Sequence, residues 1–161
     1  MMRRPILIAC LLLAAWGAAA QERSVNTFGE WSLRCEAGPP RNCEVATTLA
    51  NPEGRPTAQI VLGRLNSQGP LLAMAHLPLN VFLPGQARII MEGEPMVLAF
   101  QRCVPQGCFA MLEVDDAVLR RLRAEPGGAR LVFQDATRRD VTLALSLRGF
   151  ARAQTALATQ R

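Results

Sequence analysis

The sequence predicts an all-β fold: an antiparallel β-sandwich, jelly-roll-like, with one short helix packed on it and room for a short C-terminal helix. Three observations point there. Turn-forming clusters of Gly, Pro, Asn and Asp recur roughly every 8–12 residues. Between them, apolar and polar residues alternate with the period of two that a half-buried strand requires. A single segment carries both the spacing and the end signals of a firm helix. Half of the 161 residues are hydrophobic and 19% are charged, which excludes a disordered chain and suits a single domain.

The chain starts with an export pattern. Arg3 and Arg4 form a basic start, Pro5 to Ala20 runs without a charge, and Ala18-Ala19-Ala20 offers small residues for cleavage before Gln21. The run has 16 residues, slightly short of the about 20 that a spanning helix needs. Leu7-Ile8-Ala9-Cys10 resembles a lipoprotein box, but too little apolar chain precedes it and the apolar stretch continues past it. Residues 1–20 are therefore read as a cleaved signal peptide and residues 21–161 as one domain. Its compartment is the periplasm, with secretion or outer-membrane association as onward alternatives. All 18 basic residues are Arg, and losing Arg3 and Arg4 lowers the formal charge from +5 to +3. The remaining Arg residues are scattered, with few aromatics to stack bases, so nucleic acid is not the expected partner.

The elements follow in order. From Phe28 to Cys35, Trp31, Leu33 and Cys35 share one face, while Glu30, Ser32 and Arg34 take the other. Cys43 to Leu49 is a second strand with β-branched Val45, Thr47 and Thr48, and Asn51-Pro52-Glu53-Gly54 turns the chain. Thr57 to Leu65 and Leu71 to Leu77 flank the turn at residues 66–70. Pro78 and Pro84 bracket the apolar piece Leu79 to Leu83. Ala87 to Met91 pairs with Pro95 to Cys103 across Glu92-Gly93-Glu94, and Cys108 to Val114 comes next. The firm helix has Asp115 as N-cap, Asp116 at its positive start, Val118, Leu119 and Leu122 as an apolar stripe, and Arg120, Arg121 and Arg123 near its negative end. Pro126-Gly127-Gly128 stops it. Ala129 to Gln134 and Asp140 to Arg148 form the last strand pair, Gly149 breaks it, and Phe150 to Leu157 allows a terminal helix.

Beyond Cys10 four cysteines remain, and an even set in an exported chain reads as disulfides. Three pairings exist. Cys35–Cys43 and Cys103–Cys108 are favoured because each is local and encloses turn formers. Zinc prefers tighter spacing with more Cys or His, and a redox catalyst prefers C-x-x-C. The catalytic inventory is thin. His76 is the single His and there is no Tyr, so any triad would need His76 as its base. An ordinary strand histidine is the favoured reading. Glu92 and Glu94 sit in a hairpin turn, and no phosphate-binding or nucleophile-elbow motif occurs. No catalytic, metal or cofactor residue is assigned, and the chain is read as not an enzyme.

Four ordered pieces carry a family resemblance. They are Gly29-Glu30-Trp31-Ser32-Leu33-Arg34-Cys35 with a second Cys soon after, Leu77-Pro78-Leu79-Asn80-Val81-Phe82-Leu83-Pro84-Gly85, Phe100-Gln101-Arg102-Cys103 followed by Gly107-Cys108-Phe109-Ala110, and Leu145-Ser146-Leu147-Arg148-Gly149-Phe150. Together, over about Phe28 to Leu157, the chain resembles the invasion associated locus B (IalB) family of bacterial exported proteins. It departs in using only Arg where the family often carries Lys, and in placing Phe82 where a smaller residue is expected. The resemblance implies an all-β, disulfide-containing envelope protein. Founding members are associated with host-cell invasion, and relatives also occur in free-living bacteria. It brings no catalytic residue or cofactor, and only Cys35, Cys43, Cys103 and Cys108 carry over, as structural bridges.

The expected function is thus a non-catalytic binding or accessory role toward an envelope or host protein, or a small ligand. Two stretches are the expected binding surface. Leu79, Val81, Phe82 and Leu83 form an apolar piece whose prolines limit its pairing, although a core strand is the favoured reading of the same stretch. Val104, Pro105, Gln106 and Gly107 form a loop between two cysteines. That loop also suggests an alternative, inhibition of an incoming muramidase or protease by a rigid inserted wedge. A periplasmic enzyme is the third reading.

Overall fold

The structure, a computed structural model, describes residues 24–38, 42–66, 68–125 and 128–160. The export pattern of residues 1–20, with Cys10, lies outside the described residues, as do Pro39, Pro40, Ser67, Pro126 and Gly127 of the turn signals. The strands are β1 (Ser24–Phe28), β2 (Trp31–Cys35), β3 (Cys43–Ala50), β4 (Pro56–Gly63), β5 (Leu72–Leu77), β6 (Ala87–Ile90), β7 (Met96–Val104), β8 (Gly107–Glu113), β9 (Ala129–Gln134) and β10 (Asp140–Leu145). Helix α1 (Asp116–Ala124) lies between β8 and β9, and α2 (Phe150–Ala158) follows β10.

The strands form one ten-stranded sheet in the order β1-β2-β3-β4-β5-β8-β7-β6-β9-β10, antiparallel throughout. Strands β1 to β5 meander. The second meander, β6 to β8, runs backwards across the sheet, so β8 meets β5 and β6 meets β9. The order β9-β6-β7-β8 is a Greek key, with α1 on the long return connection. The all-β expectation therefore holds, but the strand order is a single curled half-barrel instead of the expected jelly-roll sandwich. A sheet this wide with one apolar face can bury that face by twisting and curling onto itself. Here β10 approaches β3 across the curl.

Alternation assigns the faces. Leu33, Val45, Leu62, Leu98, Leu131 and Leu143 point inward and are buried. Helix α1 starts where expected: the Asp115 carboxylate accepts the Val118 N–H at 2.8 Å, and Leu122 is buried in the core. Helix α2 closes the open side, with Phe150 and Ala153 buried against β1, β2 and β3. The Arg123 guanidinium donates to the Gln154 side-chain oxygen and ties the two helices together.

Three boundaries differ from the sequence reading. The strand expected from Phe28 begins earlier, as the separate strand β1, and Gly29-Glu30 is the turn into β2. Leu79 to Leu83 is not a strand, and only Val81 makes a bridge, to Asp135. Strand β10 ends at Leu145 because the next residues leave the ladder to close the curl. There the Trp31 indole N–H donates to the Ser146 carbonyl at 2.9 Å, and the Glu30 N–H donates to the Arg148 carbonyl at 3.1 Å. An Arg148–Glu30 ion pair at 2.6 Å spans the same seam at the surface. Beneath it, Trp31 meets Phe150 edge-on, centroids 4.9 Å apart.

Two glycines permit this approach. A Cβ on Gly149 would stand 1.7 Å from the Phe28 carbonyl oxygen, and one on Gly29 would stand 2.6 Å from that of Arg148. Both also have positive φ, 95° and 62°, where L side chains are strained. Gly149→Ala should therefore lower the unfolding free energy by about 3–4 kcal/mol. Gly54→Ala, also at positive φ but with nothing within 4 Å of the added carbon, should cost about 1 kcal/mol. Urea denaturation of the two variants checks the difference.

Candidate functional site

Strands β7 and β8 form a hairpin whose tip is Pro105-Gln106, with Val104 and Gly107 paired below it. The next pair down is Cys103 and Cys108, directly opposed in register and joined as a disulfide with Cα atoms 4.0 Å apart. Cys35 and Cys43 are likewise opposed partners across β2 and β3 and are bonded with Cα atoms 4.1 Å apart. Each bridge thus clamps a hairpin next to its connection. Pro105 and Gln106 are exposed, Val104 is half-buried and Gly107 is buried.

His76 holds the tip from the neighbouring strand. Its Nε2–H donates to the Gln106 carbonyl at 2.9 Å, because a carbonyl oxygen can only accept. Its ring lies flat on Phe109, 4.7 Å between centroids and 4° from parallel, and the Arg102 guanidinium sits over Phe109 at 5.9 Å. Gly107 is needed at this position. A Cβ there would stand 2.4 Å from both His76 Nε2 and the Leu77 carbonyl oxygen, at a φ of 146°.

The other predicted stretch divides by residue. Leu79 and Leu83 are 56% and 46% exposed, while Val81 is 9% exposed and belongs to the core. Phe82 is half-buried under the Arg138 guanidinium, 4.8 Å from its centroid. The Phe82 N–H donates to the Gln134 carbonyl at 2.8 Å, and Ala136 N–H donates to the Asn80 carbonyl at 3.2 Å. The stretch is therefore pinned along the β9–β10 turn, its two terminal leucines pointing to solvent.

That turn is organised by Asp135. Its Oδ1 accepts from the Thr137 hydroxyl at 2.6 Å, the Thr137 N–H at 2.8 Å and the Arg139 N–H at 3.0 Å. Its Oδ2 accepts from Arg139 Nη2 at 2.9 Å. The Thr137 hydroxyl and then the Arg139 N–H do most to hold the carboxyl low, at about 2 against an ordinary 3.8.

The structure brings the two predicted stretches side by side. Leu83 and Pro84 share a shallow groove of about 300 Å³ with Phe100 and Arg102 of β7, which leads to the clamped tip. On the other flank, Pro78 and Gln106 line a groove of about 520 Å³ with His76, Asn51 and Arg55. Sequence reasoning missed Arg102 of β7, which lines the first groove, and Asn51 and Arg55 of the β3–β4 turn, which line the second. Glu92 and Glu94 lie in an exposed turn whose carbonyls accept from Arg121 at 3.1 Å and 2.6 Å. Among the described residues no three of His, Cys, Asp and Glu converge as metal ligands. No helix among them is long and apolar enough to cross a membrane.

Comparison with known proteins gives one family and one fold. The family model described as "Invasion associated locus B (IalB) protein" matches residues 31–158. The crystal structure of invasion associated protein B from Bartonella henselae is similar in fold, with a TM-score of 0.71 at 22% identity, covering 84% of this chain and 95% of that one. No curated protein sequence matches the chain.

Two outcomes follow from the geometry. Replacing Cys103 and Cys108 together by Ala should lower stability by about 2–3 kcal/mol, read by urea denaturation, and should raise hydrogen exchange at the tip amides. Because the Asp135 carboxyl is lower when folded, its stabilising contribution is full above 3.8 and is lost as pH falls toward about 2. Asp135→Asn should therefore show a shallower drop in Tm than the wild type across that window.

Proposed function

The chain belongs to the invasion associated locus B family, and from that premise we propose that it is an exported, non-catalytic binding protein of the bacterial envelope, acting through the clamped β7–β8 tip and the loop beside it. The observation that carries this reading is the construction of the tip. A disulfide, a histidine hydrogen bond and a buried glycine hold two exposed residues, Pro105 and Gln106, in one conformation. A loop ordered in advance loses little entropy on association. Leu79 and Leu83 add apolar area nearby, and Arg102 adds a charged rim. The Bartonella henselae protein of similar fold is an invasion associated protein. A role of the same kind, docking to an envelope or host protein, is the reading we extend to this chain. The family is not a known enzyme family.

Export rests on residues 1–20 and on two disulfides, which persist in oxidising compartments. One mature domain from Gln21 follows from it. The narrower reading, a wedge that inhibits an incoming muramidase or protease, is favoured by the same rigid tip. Replacing Pro105 and Gln106 by Gly would then relieve the inhibition.

A photo-crosslinking residue placed singly at Gln106, at Leu79 and at exposed Ala151 on α2 tests the surface in the native envelope. Gln106 and Leu79 should yield the same discrete adduct and Ala151 none. An adduct equally strong from Ala151, or none from the first two, rejects the reading. Intact mass of the same preparation should show a chain starting at Gln21 with four oxidised cysteines.

A further inference from the structure

We propose that Met74, Met111 and His76 form a site for a soft monovalent cation, copper(I) or its analogue silver(I), on the outer face of the sheet. Strand alternation places them there. In β5 Ala73, Ala75 and Leu77 are buried inward, and Met74 and His76 are half-buried on the opposite face. In β8 Cys108 and Ala110 are buried inward, and Phe109 and Met111 take that same outer face.

Register sets the spacing. Met74 is the direct cross-strand partner of Met111, and His76 that of Phe109. Directly opposed residues stand with Cβ atoms about 4.5–5.5 Å apart, and residues two apart on one strand about 6.6 Å. A methionine has three rotatable bonds before its methyl, so both sulfurs can reach a point shared with the imidazole.

The histidine is prepared for ligation. Nε2 donates to the Gln106 carbonyl at 2.9 Å, so the neutral ring carries its lone pair on Nδ1. A ligating histidine characteristically has its second nitrogen fixed by a backbone carbonyl in this way. Stacking on Phe109 fixes the ring plane and leaves in-plane approach to Nδ1 as the ligating direction.

The donor set selects the ion. Two thioethers and an imidazole favour soft copper(I), whereas Mg²⁺ and Ca²⁺ require oxygen ligands. Val61 and Ala99 flank the methionines, and Gln59 flanks His76. Arg102 beside Phe109 disfavours a doubly charged ion more than a single charge. Glu113 shares the outer face two residues beyond Met111, on the side away from His76, where its charge opposes that of Arg102.

Silver(I) nitrate is the probe, because it needs no reductant that would open the disulfides. The mature chain from Gln21, with its four cysteines oxidised and its methionine ε-methyls labelled, is titrated and followed by NMR. The methyls of Met74 and Met111 and the His76 ring should shift together and saturate at one equivalent, while those of core-packed Met91 and Met96 stay in place. Met74→Leu and Met111→Leu preserve volume and should each weaken silver binding at least tenfold, with an unchanged near-UV spectrum confirming the fold. Shifts no larger than those of Met91 and Met96, or an affinity unchanged in the double Leu variant, would overturn the site. So would zinc(II) binding as tight as silver and insensitive to both substitutions.

Discussion

The fold depends on one backbone contact, where the peptide between Phe28 and Gly29 lies against the peptide between Arg148 and Gly149. A wide sheet with one apolar face is unstable while that face meets water. Curling solves this only if the two ends of the sheet are held together. Here the chain leaves β10, crosses the β1–β2 turn at a distance no side chain would allow, and enters α2. Trp31 and Phe150 then seal the core below the crossing, while the indole N–H and the Glu30 N–H find carbonyl partners at the seam. Two absent side chains thus decide whether the buried faces of β2 to β10 become one core.

That solution leaves the rim and the outer face for the recognition proposed above. Among the described residues, large aliphatic and aromatic side chains fill the inner face, where a wider closed barrel encloses a ligand chamber. The hairpin tip and the pinned leucine loop lie where strands end, and the two grooves run from there along the strands. Both disulfides clamp hairpins between directly opposed residues. They enclose short loops, so they shape local geometry as well as constraining the unfolded chain.

Much of this was legible in the sequence, and the gaps have physical causes. The alternation of Trp31, Leu33 and Cys35 marked β2, and that of Val141, Leu143 and Leu145 marked β10, because each strand buries one face. Asp115 marked the start of α1 because its carboxylate satisfies an orphan N–H. Strand β1 was not legible. Ser24 to Thr27 lie exposed on an edge, with no buried face to impose a pattern. Alternation also cannot tell whether the apolar face meets a second sheet or the far end of its own, so a sandwich was expected where a curl exists. The reading of 79–83 divided because Val81 turns inward while Leu79 and Leu83 turn out. Asn51 and Arg55 read only as turn residues and Arg102 only as a strand residue, because the grooves they line are assembled from segments far apart in sequence.

His76 links the two surfaces. Through Nε2 it steadies the hairpin tip, and on the outer face it stands two residues along β5 from Met74, the partner of Met111. An imidazole is rigid, so whatever fixes Nδ1 also fixes the direction of the Nε2–H. A cation held by the methionine pair would strengthen the donor that holds Gln106, and a partner that locks Gln106 would favour the ring position needed for ligation. Such coupling is reciprocal by thermodynamic necessity and is limited to the differential energy of one hydrogen bond, about 1 kcal/mol. A single histidine in a chain without another is therefore explained by position: it stands where the tip and the outer face meet.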